Sequence, residues 1–190
     1  MMPPRHLSVL PKGPLPHIWL VSDARNDAVL ASALARLPRG SGFIFRHHHL
    51  PEPARMTRFE RLARLARARG VWVVLAGTVA AARRAGADGA YGSAARLANG
   101  GLVGRGRGLR LITAHCLREI ALAQRAHADA ILLSPVWPTR SHPGARGLGA
   151  LRFRLLAARA RVPVIALGGM TPLRARALGW ARWAAIDGLC

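Results

Sequence analysis

The residues with the clearest chemical potential follow an apolar run at 131–133. That run ends at Ser134-Pro135, and a segment rich in proline and glycine continues to residue 149. A short apolar run closed by proline and glycine is typical of a buried strand that stops at the protein surface. The segment carries hydroxyl, guanidinium and imidazole groups that can bind phosphate oxygens: Thr139, Arg140, Ser141 and His142.

A second anion-binding pattern follows the apolar run 162–167. Gly168 and Gly169 come directly after it, and Thr171-Pro172 then has the residue types preferred at a helix N-cap and first helical position. Glycines in front of a capped helix leave backbone N–H groups to bind an anion, typically a phosphate. We therefore expect the two segments to line one ligand site, which requires a fold that brings the two strand ends together.

Strand-like and helical patterns alternate along residues 17–189. The units average roughly 20 residues, near the minimum for a strand, a helix and two short loops. Strict alternation predicts a parallel sheet, and eight units favour a compact, closed (β/α)₈ TIM barrel, with its ligand beyond the carboxyl ends of the strands. The strands are predicted at 17–23, 42–49, 71–75, 88–91, 109–113, 131–133, 162–167 and 183–186.

Residues 17–190 are predicted to form this single domain, after a leader at 1–16. The sequence ends at Cys190, soon after the last predicted strand, so we expect the barrel to lack an eighth helix. Either the leader or a partner subunit of a homo-oligomer would cover the apolar edge left there. A short repeat supports the βα units, because residues 84–90 resemble residues 125–131, and each set joins a helix end, an Ala-Asp step and a strand start.

Alternation along the second strand indicates which polar side chains reach the ligand. Successive side chains of a strand point to opposite faces, so Ile44, Arg46 and His48 share one face. We expect Arg46 and His48 to face the barrel mouth. The run His47-His48-His49 does not predict a metal site, because consecutive histidines on a strand cannot converge on one ion.

The net charge of +21 suggests a polyanionic partner, such as nucleic acid, acidic lipid or a phosphorylated metabolite. Lys12 is the only lysine, and the arginines occur throughout the predicted helices instead of in one patch, which disfavours nucleic acid. The apolar runs are shorter than the about 20 residues that span a bilayer, and residues 1–16 lack the core of a signal peptide. We therefore expect a cytoplasmic protein that binds phosphorylated small molecules and no membrane.

Five segments match the motifs of one known family. Residues 134–142 are similar to the motif G-P-V-F-P-T-x-T-K, and residues 165–170 to an I-G-G-I/M turn. Residues 19–23, 45–48 and 86–89 are similar to Y-L-V-T-D, Q-L-R-E-K and G-A-D-G. On these motifs the chain resembles the thiamine phosphate synthase family and its thiazole tautomerase relatives, over residues 17 to 189.

The resemblance implies a (β/α)₈ barrel that condenses an aminopyrimidine-methyl diphosphate with a thiazole phosphate, releasing diphosphate and forming thiamine phosphate. His142 stands where the family has a lysine, and a nearby phosphate would raise its pKa and favour the charged imidazolium. The implied catalytic residues are Arg46, His48, Ser141 and His142. The implied phosphate-binding residues are Thr139, Arg140, Gly168, Gly169 and Ile186.

The resemblance also implies Mg²⁺ as a cofactor, but its ligands are not found in the sequence. Ala76-Gly77 stands where the family has Asn-Asp, and the family's aspartate after strand four falls near Ala95-Arg96. Pro135 replaces the histidine of the tautomerase relatives. We therefore expect no metal site.

The sequence is compatible with three functions: a divergent synthase in which arginine supplies the charge of the metal, a barrel that binds a phosphorylated thiazole without the condensation, and a basic nucleic-acid-associated protein. Product formation without Mg²⁺ would favour the first, and phosphate-ester binding without turnover the second. Steeply salt-dependent DNA binding would favour the third.

Overall fold

Eight parallel strands close into a barrel in the computed structural model, which describes residues 13–98, 108–141, 144 and 146–190. Each strand pairs with the next along the chain, and the last pairs with the first. Their bounds are β1 Ile18–Val21, β2 Gly42–Phe45, β3 Trp72–Ala76, β4 Gly89–Gly92, β5 Leu109–Ala114, β6 Ala130–Leu133, β7 Val164–Ala166 and β8 Trp183–Ala185.

Helices connect the strands on the outside of the barrel, and a 3₁₀ turn (Ala24–Val29) precedes the first of them. They are α1 Leu30–Arg36, α2 Ala54–Ala68, α3 Val79–Arg84, α4 Ala94–Ala98, α5 Leu117–Arg125, α6 Gly149–Ala157 and α7 Pro172–Leu178. The prediction of a closed (β/α)₈ barrel is confirmed, and among the described residues no helix follows β8. Within that same part of the chain, no helix has the length and apolar character needed to cross a membrane.

Apolar side chains fill the interior of the barrel below the ligand end. Trp19, Ile44 and Leu132 point inward and are fully buried. Gly42 makes room for the indole of Trp19, because a Cβ at that position would lie 2.1 Å from Trp19 Cε3. These buried side chains occupy the centre of the barrel, which places a ligand site beyond the strand ends.

The other face of each strand packs against the helices. Phe43 and Phe45 of β2 point outward, and Phe45 contacts Phe59 of α2 edge-on at 5.4 Å between ring centroids. The strands are therefore apolar on both faces, which explains why they read in sequence as continuous apolar runs.

The repeated Ala-Asp step has a structural role in strand pairing. Asp88 precedes β4, and its Oδ2 accepts the amide N–H of Val73 in the preceding strand at 2.7 Å. Asp129 precedes β6, and its Oδ2 accepts the amide N–H of Arg110 at 2.8 Å. Each carboxylate thus joins the start of its strand to the neighbouring strand.

Some predicted boundaries are wrong. β2 ends at Phe45 and does not extend to residue 49. The amide N–H of Arg46 donates to the side chain of Ser22 instead of to a neighbouring strand. The chain then turns, and the His48 N–H donates to the Arg46 carbonyl at 2.7 Å. β7, at Val164–Ala166, is shorter than the predicted strand at 162–167. Of the predicted leader, residues 1–12 lie outside the described residues.

Candidate functional site

A cavity of about 590 Å³ opens at the carboxyl ends of the strands. Residues at or after the ends of β2, β4, β5, β6, β7 and β8 form its wall, so most of the barrel contributes to it. This end is where (β/α)₈ barrels bind their ligands, and the volume is in the range of small-molecule sites.

The loops after β6 and β7, which were expected to form one site, lie side by side. The amide N–H of Val136 donates to the Leu167 carbonyl at 2.9 Å, and that of Trp137 donates to the Gly168 carbonyl at 3.1 Å. The backbones approach so closely that a Cβ on Gly168 would lie 2.7 Å from the Cα of Pro135. The glycine is required here because any side chain would separate the loops.

Gly169 is held between the β6 loop and the start of α7. Its φ of +61° lies in the left-handed region, and a Cβ there would lie 2.6 Å from the Pro138 carbonyl oxygen. Thr171 caps α7 by accepting the amide N–H of Arg174 at Oγ1, at 3.2 Å. Arg174 in turn donates from Nη1 to the Gly169 carbonyl at 2.6 Å and lines the cavity. The glycine turn is therefore fixed next to a positive charge.

Arg46 enters the cavity from the loop after β2. Its Nη2 lies 2.5 Å from Asp23 Oδ2, and it lines the cavity together with Tyr91. Burial raises the pKa of Asp23, but hydrogen bonds from Arg25 and Arg46 outweigh it, so the pKa lies below the usual aspartate value. The charged Asp23 holds the guanidinium in place. Burial raises the pKa of Tyr91, which keeps its hydroxyl protonated and able to donate to a ligand.

Arg25 connects three loops across the mouth of the cavity. Its Nη2 donates to Ser141 Oγ at 2.8 Å, and its Nε lies 2.9 Å from Asp23 Oδ1. Its Nη1 lies 3.7 Å from Asp187 Oδ2. The carboxylate of Asp187 would repel a phosphate, but it lines the cavity, where Arg25 offsets its charge. Ser141 is thereby held over the site by a contact that spans 116 residues of sequence.

His115 follows β5 and lines the cavity together with Ser134. Its Nδ1 lies 2.8 Å from the Ser134 carbonyl oxygen, and its amide N–H donates to Glu119 Oε2 at 2.7 Å. A carbonyl can only accept, so Nδ1 carries a hydrogen and donates it. The ring therefore lies where it can contact a ligand while it joins the end of β5 to the loop after β6.

The structure brings most of the predicted site residues to this one cavity. The lining includes Arg46, Thr139, Arg140, Ser141, Gly168, Gly169 and Ile186. His142 lies outside the described residues. His48 does not join Arg46 in the cavity lining, contrary to the expectation from strand alternation; it is exposed, in the turn that follows the early end of β2.

Sequence reasoning missed several polar residues of the cavity. They are Tyr91, Thr113 and Arg174, together with Arg25 at its rim. Tyr91 and Thr113 lie near the carboxyl ends of β4 and β5, a position that could have identified them. Arg174 carried no signal beyond its place in the first turn of a capped helix.

The residues present do not fit the Mg²⁺ that the resemblance implies. No group of three or more histidine, cysteine or acidic side chains comes together within the ranges that the structure describes. Ala76 ends β3 without a carboxylate, and its carbonyl oxygen accepts from Arg55 Nη2 at 2.6 Å. A cation at this strand end would face a guanidinium. The two carboxylates near the mouth, Asp23 and Asp187, already pair with arginines.

A family comparison identifies relatives of the chain. The sequence model described as thiamine monophosphate synthase matches residues 18–188. The putative thiamine-phosphate synthase 2 of Aquifex aeolicus is 39% identical over 59 residues, which is 31% of this chain and 32% of that protein. The alignment thus spans about a third of the length of that relative.

Solved structures share the fold. Thiamine phosphate pyrophosphorylase from Pyrococcus furiosus superposes with a TM-score of 0.70 at 20% identity, covering 91% of this chain and 86% of that one. The 2-keto-3-deoxy-6-phosphogluconate aldolase of Zymomonas mobilis gives a TM-score of 0.59 at 17% identity, covering 90% and 80%. Two differently named enzymes share this barrel, so the fold alone does not decide the reaction.

Proposed function

The chain belongs to the thiamine monophosphate synthase family, and we propose that it condenses an aminopyrimidine-methyl diphosphate with a thiazole phosphate to give thiamine phosphate and diphosphate. Family membership supports a role in thiamine biosynthesis.

One observation carries the proposal: the hydroxyl-bearing β6 loop and the glycine turn after β7 line the same cavity, joined by backbone hydrogen bonds. The condensation brings together two substrates that both carry phosphate groups. A site for it therefore needs two anion-binding surfaces within the length of one small molecule, and this cavity offers both.

The chemistry needs charge stabilisation more than a reactive side chain. The bond between the pyrimidine methylene carbon and the diphosphate oxygen breaks, and its electron pair leaves on the diphosphate. The thiazole nitrogen supplies the pair for the new C–N bond, so no protein nucleophile is required. The barrier falls if fixed donors and positive charges face the departing diphosphate.

The lining residues divide between the two anions. We assign the diphosphate to Thr139, Ser141 and Arg46, with Arg140 beside them. We assign the thiazole phosphate to the backbone of Gly168, Gly169 and Ile186. The carbonyl of Ile186 accepts from Asn26 Nδ2 at 2.9 Å, which fixes the end of β8 beside the glycine turn.

A second candidate is a barrel that binds a phosphorylated thiazole without the condensation. The observation that favours it is the strand end at Ala76-Gly77, which offers no carboxylate and is occupied by Arg55. Under this alternative, the thiazole phosphate binds and no thiamine phosphate appears.

The test is incubation with both precursors, with added Mg²⁺ or with a chelator, followed by chromatographic detection of thiamine phosphate. We expect product in both arms, and its loss in an Arg46→Ala variant. An Arg64→Ala variant is the matched control, because Arg64 is exposed on α2. Binding of thiazole phosphate without product would favour the second candidate, and absence of both would contradict the proposal.

A further inference from the structure

A line of hydrogen bonds runs from the backbone of Arg46 to α2. The amide N–H of Arg46 donates to Ser22 Oγ at 2.8 Å, and Ser22 Oγ lies 2.8 Å from His47 Nδ1. His47 Nε2 lies 2.7 Å from Asp27 Oδ1, which also accepts from Arg58 Nε at 2.9 Å. Ser22 and His47 are both buried, with 0% exposure.

Ser22, His47 and Asp27 are the residue types of a hydrolytic triad, but their placement excludes that role. Neither Ser22 nor His47 is among the described residues that line the cavity, so no substrate reaches the hydroxyl. Ser22 Oγ is also occupied, because it accepts the amide N–H of Arg46. The group therefore acts within the protein and not on a substrate.

One assignment of the hydrogen positions, called here the hydrogen-bond order, gives every donor among these side chains an acceptor. Ser22 Oγ accepts from Arg46, so its own hydrogen can be donated to His47 Nδ1. An accepting Nδ1 leaves the imidazole hydrogen on Nε2, where it is donated to the carboxylate of Asp27. This order requires a neutral His47.

The surroundings of His47 favour that neutral form. Burial has the largest effect on its pKa and lowers it, and the opposing attraction of Asp27 does not compensate. The positive charge of Arg58 and the neighbouring His49 lower the pKa further. Arg55 approaches from α2 as well, donating from Nε to the His47 carbonyl at 3.0 Å.

We propose that Ser22 and His47 are positioning residues that hold Arg46 ready for the departing diphosphate. The proposal rests on the assignment of Arg46 in the proposed function. Ser22 fixes the backbone of Arg46 and the adjoining Asp23 fixes its guanidinium at 2.5 Å, so the end of β1 determines where this arginine lies. A guanidinium ordered before the ligand arrives loses less conformational freedom on binding.

The first test is a double-mutant cycle, with inorganic pyrophosphate as the calorimetric probe. We expect Ser22→Ala to weaken binding roughly tenfold, the effect of about one hydrogen bond. In an Arg46→Ala background the same substitution should change the affinity less than about twofold, because coupled residues are not additive. Ser22→Thr adds a methyl group at a buried position but keeps the hydroxyl, so it should bind pyrophosphate more tightly than Ser22→Ala does.

The second test needs no ligand and measures amide hydrogen exchange at Arg46 together with the ¹⁵N shifts of His47. We expect faster exchange in Ser22→Ala, and a neutral Nε2–H imidazole in the natural chain. Phe153→Leu is the control for lost stability, because Phe153 is buried in α6 against Trp180 at 5.0 Å between ring centroids. It should lower the melting temperature without changing either pyrophosphate affinity or exchange at Arg46.

The two tests separate the inference from the proposed function. If the natural chain does not bind pyrophosphate, the assignment of Arg46 fails, and with it the role of Ser22 in ligand binding. If it does bind but Ser22→Ala weakens binding equally with and without Arg46, positioning is overturned. A doubly protonated or Nδ1–H His47, or unchanged exchange at Arg46 in Ser22→Ala, would overturn the hydrogen-bond order.

Discussion

The glycine turn after β7 offers a measurable test of how closely the two loops must approach. Gly169 has a φ of +61°, and a Cβ added there would lie 2.6 Å from the Pro138 carbonyl oxygen and 2.9 Å from Trp137 Cβ. The left-handed backbone costs a residue with a Cβ about 1–2 kcal/mol. Crowding against packed neighbours adds about 1–3 kcal/mol. Gly169→Ala therefore combines two penalties.

Gly40→Ala separates those penalties. Gly40 has a φ of +78° with no atom within 4 Å of an added Cβ, so its replacement carries the backbone cost alone. The two variants should therefore differ in free energy of unfolding by the cost of crowding alone, about 1–3 kcal/mol. Because 1.4 kcal/mol is a factor of ten, displacement of the β6 loop should weaken binding of thiazole phosphate by about fivefold to 140-fold in Gly169→Ala.

The assay is calorimetric titration of thiazole phosphate into each variant, with urea unfolding to measure stability. We expect Gly40→Ala to lose stability and keep its affinity for the ligand, and Gly169→Ala to lose both. Equal affinities in the two folded variants would refute the reasoning, since the approach of the loops would then have no bearing on the anion site.

Three further predictions concern charge. Arg46→Ala should weaken pyrophosphate binding by about tenfold to 100-fold, the range of a charged hydrogen bond, whereas Arg64→Ala should leave the affinity unchanged. If calorimetry shows the same loss of affinity in both variants, the attraction is nonspecific. A chelator should leave pyrophosphate affinity unchanged, because the carboxylates at the mouth pair with arginines; a loss reversed by added Mg²⁺ would show that a metal is held. Burial raises the pKa of Asp27, but hydrogen bonds from His47 and Arg58 outweigh it, so the pKa in the folded protein lies below 3.8. The stability that charged Asp27 contributes is therefore present above pH 3.8 and is lost as the pH falls through the lower pKa of the folded state. Asp27→Asn should flatten the acid side of the curve of stability against pH, measured by urea unfolding, and an unchanged curve would contradict this.

The fold could be predicted because its sequence signals are local and consistent. Strands buried on both faces appear as short continuous apolar runs, and the helices between them leave only a parallel arrangement. The meeting of the β6 and β7 loops followed from that topology, because adjacent parallel strands end at the same edge. Gly168 and Gly169 could be identified because a pair of glycines before the helix start at Thr171-Pro172 is typical of an anion-binding turn.

Contacts between distant loops could not be predicted. Alternation of side chains along β2 predicted that His48 would face the mouth of the barrel. The strand ends before His48, however, because the hydroxyl of Ser22 accepts the amide N–H of Arg46. The charge of Asp187 would repel a phosphate, yet Asp187 lines the cavity because Arg25, from the other end of the chain, offsets that charge. No periodicity in sequence carries information about such pairs.

The central claim is that the β6 and β7 loops hold two anionic groups in one cavity beside Arg46. The most direct measurement is a crystal structure of the protein with inorganic pyrophosphate and thiazole phosphate bound together. We expect the pyrophosphate between Arg46 and residues 139–141, and the phosphate ester at the amides of residues 168–169. Ligands bound elsewhere on the protein, with this cavity empty, would contradict the account.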